Sequence, residues 1–313
     1  GPPPCEVPAP TLDFMREDTR PFSASNMTSA AWFARQVQLT EAARNAAWQS
    51  MAVPPVRVTD FSLERWGLHA TLLEFDSQVL VLYRGTEDVL DYLLNATFYT
   101  SRHGETLGLP GWVHEGFYIN FLLSWQRVSA AVREAAGRGK SVVLAGHSLG
   151  GVLSQYAAWL LENEGIRVVR VYAFQAPNPG DLEFKTKFEE RFDRRHSNTV
   201  YGVDVTTHIP PVLEAAEVFG DASIQPVGKV MTQLLTRARY GALGERFSMS
   251  ADGVRTRIEN SSIPEFEQAY WKSYRQVSGG KAFPLGLAAD SPLIADHDID
   301  RVLCALAKSK SSE

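Results

Sequence analysis

The hexapeptide Gly146-His147-Ser148-Leu149-Gly150-Gly151 stands between the apolar, β-branched run SVVLAG and a helical stretch, SLGGVLSQYAAWLLENEG, that Gly165 stops. A serine squeezed between strand and helix takes a strained backbone and lifts its hydroxyl clear of the sheet, and small flanking residues are needed to let strand and helix approach. The helix that starts there aims its amino-terminal dipole at any negative charge that develops beside the hydroxyl. Such a serine is a candidate nucleophile. Because a hydroxyl is weakly nucleophilic, it needs a base, and the base needs an acid to orient it. In strand–serine–helix arrangements the chain order is serine, then Asp or Glu, then His. Asp204 closes the segment NTVYGVD, read as a strand, whereas Asp181, Glu183, Glu189 and Glu190 fall on an expected helix with a solvated face. Downstream of Asp204 the histidines are His208 and His297. His208 shares the loop TTHIPP with the acid and reads as a loop histidine bonded to backbone. His297 follows a loop and begins the last helix, free to swing over the serine. His147, beside the nucleophile, is expected to point away from it into the core. Acyl transfer also needs two N–H donors facing the oxyanion. Leu149 would supply one, and Thr86, after Gly85 at the end of VLVLYRG, the other.

These residues need a scaffold that brings strand ends together. LHATLLEFD and SQVLVLYRG read as a strand pair around Asp76-Ser77-Gln78, and residues 113–137 as a long helix. From SVVLAG onward strands alternate with helices: IRVVRVYAF, GDLEFKTKFEERF, NTVYGVD. That alternation predicts an α/β fold with a mostly parallel central sheet and helices on both faces, its chemistry on loops beyond the carboxyl ends of the strands. Met27 to Met51 reads as helix, and residues 1–25, rich in proline, as an extended surface segment. Within 212–290 two helices, VGKVMTQLLTRARYGAL and EFEQAYWKSYRQV, flank a hairpin around Asp252-Gly253. One domain, residues 26–313, carrying an insertion at about 212–290, is the expected organisation.

Composition narrows the classes. With 31 Lys and Arg against 36 Asp and Glu, the net charge of −5 offers no electrostatic attraction to nucleic acid or anionic lipid. No apolar stretch approaches the roughly 18 residues of a spanning helix. Two cysteines, Cys5 and Cys304, exclude a disulfide scaffold and leave two readings, one bridge between the termini or two separate thiols. Gly1-Pro2 resembles a protease-cleavage scar, so that a leader would have been removed. Sequons at Asn26, Asn95 and Asn260 point towards secretion.

Six ordered blocks between Tyr83 and about Leu303, namely YRGTED with Asp91, VHEGFY, GHSLGG, FQAPNPGDLEF, DVTTHIPP and HDIDRVL, resemble the class 3, fungal-type lipase family of the α/β-hydrolases. The resemblance implies Ser148 as nucleophile, Asp204 as acid, His297 as base, Thr86 and Leu149 as the oxyanion pair, and no metal or cofactor. His114 and Gly116 would brace the sheet edge, and Pro177 and Gly180 the turn before the next helix. It implies a lid in EDVLDYLLNATFYTSRHG, with Val89, Leu90, Leu93 and Leu94 forming an apolar face that contacts substrate at an oil–water or membrane interface. Three positions depart from the family pattern: Gln175 stands for glycine, Asp181 for asparagine and Thr207 for proline. The separation of 93 positions from Asp204 to His297 exceeds that of the family's compact members. The expected activity is triacylglycerol hydrolysis. Phospholipase A1 or feruloyl-type aryl esterase activity, and a non-catalytic interaction protein on the same scaffold, are the alternatives.

Overall fold

The computed structural model describes residues 1–86, 99–219, 227–278 and 287–309. Eight strands form the main sheet: β1 (Arg57–Leu63), β2 (Gly67–Glu74), β3 (Gln78–Tyr83), β4 (Ser141–His147), β5 (Val168–Phe174), β6 (His196–Tyr201), β7 (Arg246–Met249) and β8 (Arg255–Ile258). They lie side by side in chain order, β3 to β7 parallel, with an antiparallel β1–β2–β3 meander at one edge and β8 antiparallel at the other. This is the fold expected from the alternation of strands and helices.

Side chains alternate across the sheet, so successive residues feed two cores. Leu80, Leu82, Val143, Ala145, Tyr172 and Phe174 face one layer, built by helices α1 (Ala24–Gln36), α2 (Glu41–Ser50) and, further along the chain, α8 (Ile299–Lys308). Val79, Val81, Tyr83, Val142, Leu144 and Val171 face the other, beneath α3 (Glu115–Gly137) and α4 (Leu149–Asn163). Helices α5 (Leu182–Arg191), α6 (Val227–Ala238) and α7 (Ile263–Val277) complete the set used below.

Four features differ from the sequence reading. The helical text from Met27 to Met51 forms two helices, because Thr40 caps a new start by accepting from the N–H of Ala43 (3.3 Å). Strand β1 was not anticipated; its apolar positions do not alternate strongly enough to read. The first 23 residues are not purely superficial: Phe14, Met15 and Phe22 are buried, and Arg170 donates to the Phe14 carbonyl (3.0 Å). Finally, the segment expected as an insertion adds β7 and β8 to the main sheet itself, with β7 paired in parallel to β6. Cys5 and Cys304 are joined by a disulfide, which ties the amino-terminal segment to α8.

Candidate active site

Ser148 sits on the turn between β4 and α4 with φ 59° and ψ −128°, a conformation an L-residue holds only when its surroundings impose it. Two close approaches impose it here. A Cβ at Gly146 would lie 2.3 Å from the backbone of Gly150, and one at Gly150 would lie 2.3 Å from the Tyr83 carbonyl oxygen. The glycines therefore let α4 start directly on top of β3 and β4, and Ser148 is left at the carboxyl edge of the parallel strands.

The structure brings His297 and Asp204 to this serine. His297 Nε2 is 2.8 Å from Ser148 Oγ, and His297 Nδ1 is 2.8 Å from Asp204 Oδ2. A carboxylate accepts only, so the proton lies on Nδ1 and the Nε2 lone pair faces the serine hydroxyl. Ser148 and Asp204 are buried and the His297 side chain is 11% exposed, so these contacts are made away from bulk water. Asp204 stands three residues past the end of β6 rather than closing it. The chain turns at Gly202, and the Thr206 N–H donates to Asp204 Oδ1 (2.9 Å). His297 stands just before α8, whose amino-terminal cap is Asp298. Arg35 pairs with Asp300 (2.5 Å) and the disulfide holds Cys304, so α8 is anchored on both sides of its first two turns.

Leu149 is the first residue of α4, where the N–H has no partner inside the helix. Thr86 lines two adjoining cavities. One, about 210 Å³, is bounded by Gln38, Arg84, His147, His297 and Ile299. The other, about 560 Å³, runs between Trp66, Leu68, His69, Ile119, Leu123 and Leu149. Trp66, Ile119, Leu122 and Leu123 are exposed apolar side chains at or beside this groove. Val89, Leu90, Leu93 and Leu94, assigned to a lid, lie outside the described residues, as do Asp91 and Asn95.

The neighbours of the triad are where sequence reasoning fell short. His147 is buried as expected, but its ring stacks on that of His297 (4.8 Å between centroids), a contact the sequence did not suggest, and burial together with the adjacent His297 pushes its pKa down to about 3. Gln175 and Thr207, two departures from the family pattern, both donate to Asp204 Oδ2, at 3.0 and 2.8 Å. The third, Asp181, caps α5 by accepting from the Phe184 N–H (2.9 Å). His208 is not bonded to backbone through Nδ1. It meets Glu267 Oε2 (2.8 Å) and stacks on Tyr270 (3.6 Å), while Glu267 also pairs with Arg246, both side chains fully buried. Burial alone would raise the Glu267 pKa; His208 and Arg246 outweigh it and hold the carboxyl at about 2. His114 caps α3, accepting from the Phe117 N–H (3.1 Å). Among the described residues no group of three or more His, Cys, Asp or Glu is placed to hold a metal ion, and no helix is long and apolar enough to cross a membrane.

Residues 80–214 match the class 3 lipases. The lipase ZK262.3 of Caenorhabditis elegans is 28% identical over 136 residues, and the secreted mono- and diacylglycerol lipase 1 of Fusarium solani 25% identical over 142. These matches cover 42% and 44% of this chain but only 38% and 40% of the relatives, so the chain matches well under half the length of either. The fold likeness is wider. The lipase in the Rhizomucor miehei lipase–propeptide complex superimposes with a TM-score of 0.55 at 18% identity, over 90% of this chain and 92% of that one. The fold is that of the α/β-hydrolases. The matched segment contains Thr86, Ser148, Leu149 and Asp204 and ends before His297; geometry, not the match, joins His297 to the site.

Proposed function

We propose that this protein is a serine hydrolase of lipid carboxylic esters, acting on acylglycerols, with Ser148 as nucleophile, His297 as base and Asp204 as orienting acid. The observation that carries the reading is the unbroken chain of 2.8 Å contacts from Ser148 Oγ through His297 to Asp204. His297 Nε2 takes the serine proton as Oγ bonds to the ester carbonyl carbon. The N–H groups of Leu149 and Thr86 hold the oxyanion; losing one such donor typically costs about 3 kcal/mol of transition-state stabilisation. The carbon–oxygen bond to the alcohol then breaks and His297 returns the proton to the departing oxygen. Water, activated by the same base, attacks the acyl-enzyme and releases the fatty acid and the free serine.

The groove leading from Thr86 and Leu149 has apolar walls at Trp66, Leu68, Ile119 and Leu123 beside polar His69, Arg84 and Asn120; the apolar wall has room for an acyl chain, and it supports a long-chain ester over a small one. Triacylglycerol is the substrate we assign. The Cys5–Cys304 bridge and the secreted Fusarium solani relative support an extracellular site of action.

The test compares wild-type and Ser148→Ala protein on four substrates: a soluble short-chain ester, emulsified tri- and diacylglycerol, phospholipid vesicles and a feruloyl ester. Triacylglycerol hydrolysis that disappears in Ser148→Ala is the expected result. Faster turnover of vesicles or of the feruloyl ester would replace the substrate assignment. Folded wild-type protein inert on all four would turn the reading towards a binding scaffold.

A further inference from the structure

We infer that Gln175 is a positioning residue, which through one side-chain amide sets the acid loop, the base loop and the imidazole of His147 relative to one another. The inference rests on the hydrolase reading of Ser148, His297 and Asp204.

Gln175 follows β5, is fully buried, and holds φ at 51°, in the left-handed region that favours glycine. A long side chain at such a position is retained against a backbone preference, so what the side chain does must be found in its contacts. Its NH₂ group reaches both loops. One contact is Asp204 Oδ2 (3.0 Å), on the acid; the other is the carbonyl of Asp296 (2.6 Å), the residue before the base. Its Oε1 is 2.8 Å from His147 Nε2, and His147 Nδ1 is 3.2 Å from Gln38 Nε2. Since Oε1 only accepts and the Gln38 amide nitrogen only donates, His147 is the neutral tautomer with its proton on Nε2. Gln38 thus donates to His147, His147 to Gln175, and Gln175 to Asp204. The neutral ring so oriented is the surface on which His297 stacks.

The same oxygen of Asp204 also accepts from Thr207 Oγ1 and from His297 Nδ1. Removing the Gln175 donor concentrates the carboxylate on His297 and strengthens its hold on the protonated base. It also frees the Asp296–His297 loop from one of its ties to the sheet. Other ties persist, since Asp296 Oδ2 accepts from the Val203 N–H (2.9 Å) and Asp296 pairs with Arg301 (2.7 Å). Loss of Gln175 therefore misplaces the base without unfolding the site. The ionisable and charged groups facing His297 are Asp204, His147, Asp298 and Arg84. Substitution at 175 replaces none of them and changes only the hydrogen bonds that Asp204 and His147 make to the amide.

Two variants test this: Gln175→Met, of similar volume without hydrogen bonds, and Gln175→Gly, which suits the left-handed backbone. The first readout is reaction with a soluble p-nitrophenyl alkylphosphonate, in which Ser148 Oγ bonds to phosphorus, p-nitrophenolate leaves and the serine proton passes to His297. It reports nucleophile activation independently of the natural substrate. Both variants should react about 10- to 100-fold more slowly, the scale of a misplaced catalytic group. With a soluble ester, kcat should fall at nearly constant KM, and the acidic limb of the rate profile should move to higher pH. Lost packing alone would lower thermal stability and leave the shape of that profile unchanged. Wild-type protein that fails to react at Ser148 would overturn the hydrolase reading and this inference together. A reactive wild type, with both variants matching it in rate and pH profile, would overturn the inference alone.

Discussion

Five of the seven histidines are buried, and in four of them burial is the main cause of a lowered pKa: His69 and His196 to about 4, His114 and His147 to about 3, against 6.5 for the exposed group. The unfolded chain takes up these protons near pH 6.5 and the folded chain does so only near pH 3 to 4. Their contribution to stability is therefore complete above pH 6.5 and is lost as the pH falls towards the folded values. Around pH 5 each histidine is charged in the unfolded state and neutral in the folded one, which is a slope of about 1.4 kcal/mol per pH unit apiece and about 5 kcal/mol for the four. Glu267 does not blur this window. Its carboxyl, held at about 2 against 4.5 in the unfolded chain, withdraws stability only below pH 4.5. A folded domain has about 5 to 15 kcal/mol in total, and this slope removes up to about 8 kcal/mol between pH 6.5 and 5, so the urea midpoint should fall steeply over that interval. Urea titrations followed by tryptophan fluorescence at half-unit steps between pH 7.5 and 5 measure the slope. Potentiometric proton uptake on unfolding checks it independently. His196→Gln, remote from Ser148 and bonded to Gln155 and the Gly244 carbonyl, should reduce the slope by about 1.4 kcal/mol per unit. A slope below that of one proton between pH 6.5 and 5 would refute the reasoning.

Two further outcomes follow from the site. His297→Ala should lower kcat by at least about 10⁴-fold, the range seen when a triad base is removed. His208→Ala should keep kcat within about tenfold and instead destabilise the fold by about 2 to 4 kcal/mol, because Glu267 loses a buried partner; the reverse ranking would reassign the base. Reducing the Cys5–Cys304 bridge, which closes a separation of 299 residues, should cost up to about 5 kcal/mol of unfolding free energy on the chain-entropy account while leaving kcat at room temperature unchanged. Equal urea midpoints with and without reductant would dismiss that account.

The parallel core of the sheet was legible because its strands are near-continuous apolar runs bounded by glycine and polar turns. The position of Ser148 was legible because Gly146 and Gly150 answer a steric demand that is local in sequence. Two sources of information were not. One is cap chemistry weighed against periodicity: Thr40 divides a stretch whose apolar spacing reads as continuous helix. The other is tertiary. Nothing in the spacing of Arg246, Glu267 and His208 says that they meet, and nothing in the text of VYGVD says that the chain leaves the sheet at Tyr201, three residues before the acid. His147 was misread for a related reason. Alternation puts it with Val143 and Ala145 on the face towards α1 and α8, but nothing in the spacing says that Gln38 and His297 close over that face.

The residues between acid and base also form the acid's support. Strand β7 bonds to β6, on which the acid loop is built, and carries Arg246. Helix α7 carries Glu267, which reaches His208, and Tyr270, whose hydroxyl donates to the Val203 carbonyl (2.9 Å), one residue before Asp204. A fully buried Arg–Glu pair is not there for stability, since apolar residues of equal volume would serve as well or better; what such a pair adds is a unique arrangement, because any other leaves a charge unpaired. Through His208 the pair bears on the segment Thr206-Thr207-His208, and Thr207 is one of the donors to Asp204. Gln175 approaches the same carboxylate oxygen from β5, on the opposite side of the chain's departure from the sheet. The acid is thus held from two elements by side chains that stand where the family has glycine and proline, neither of which has a side-chain donor. Both donate to the same oxygen, so a substitution at either should be felt through the other.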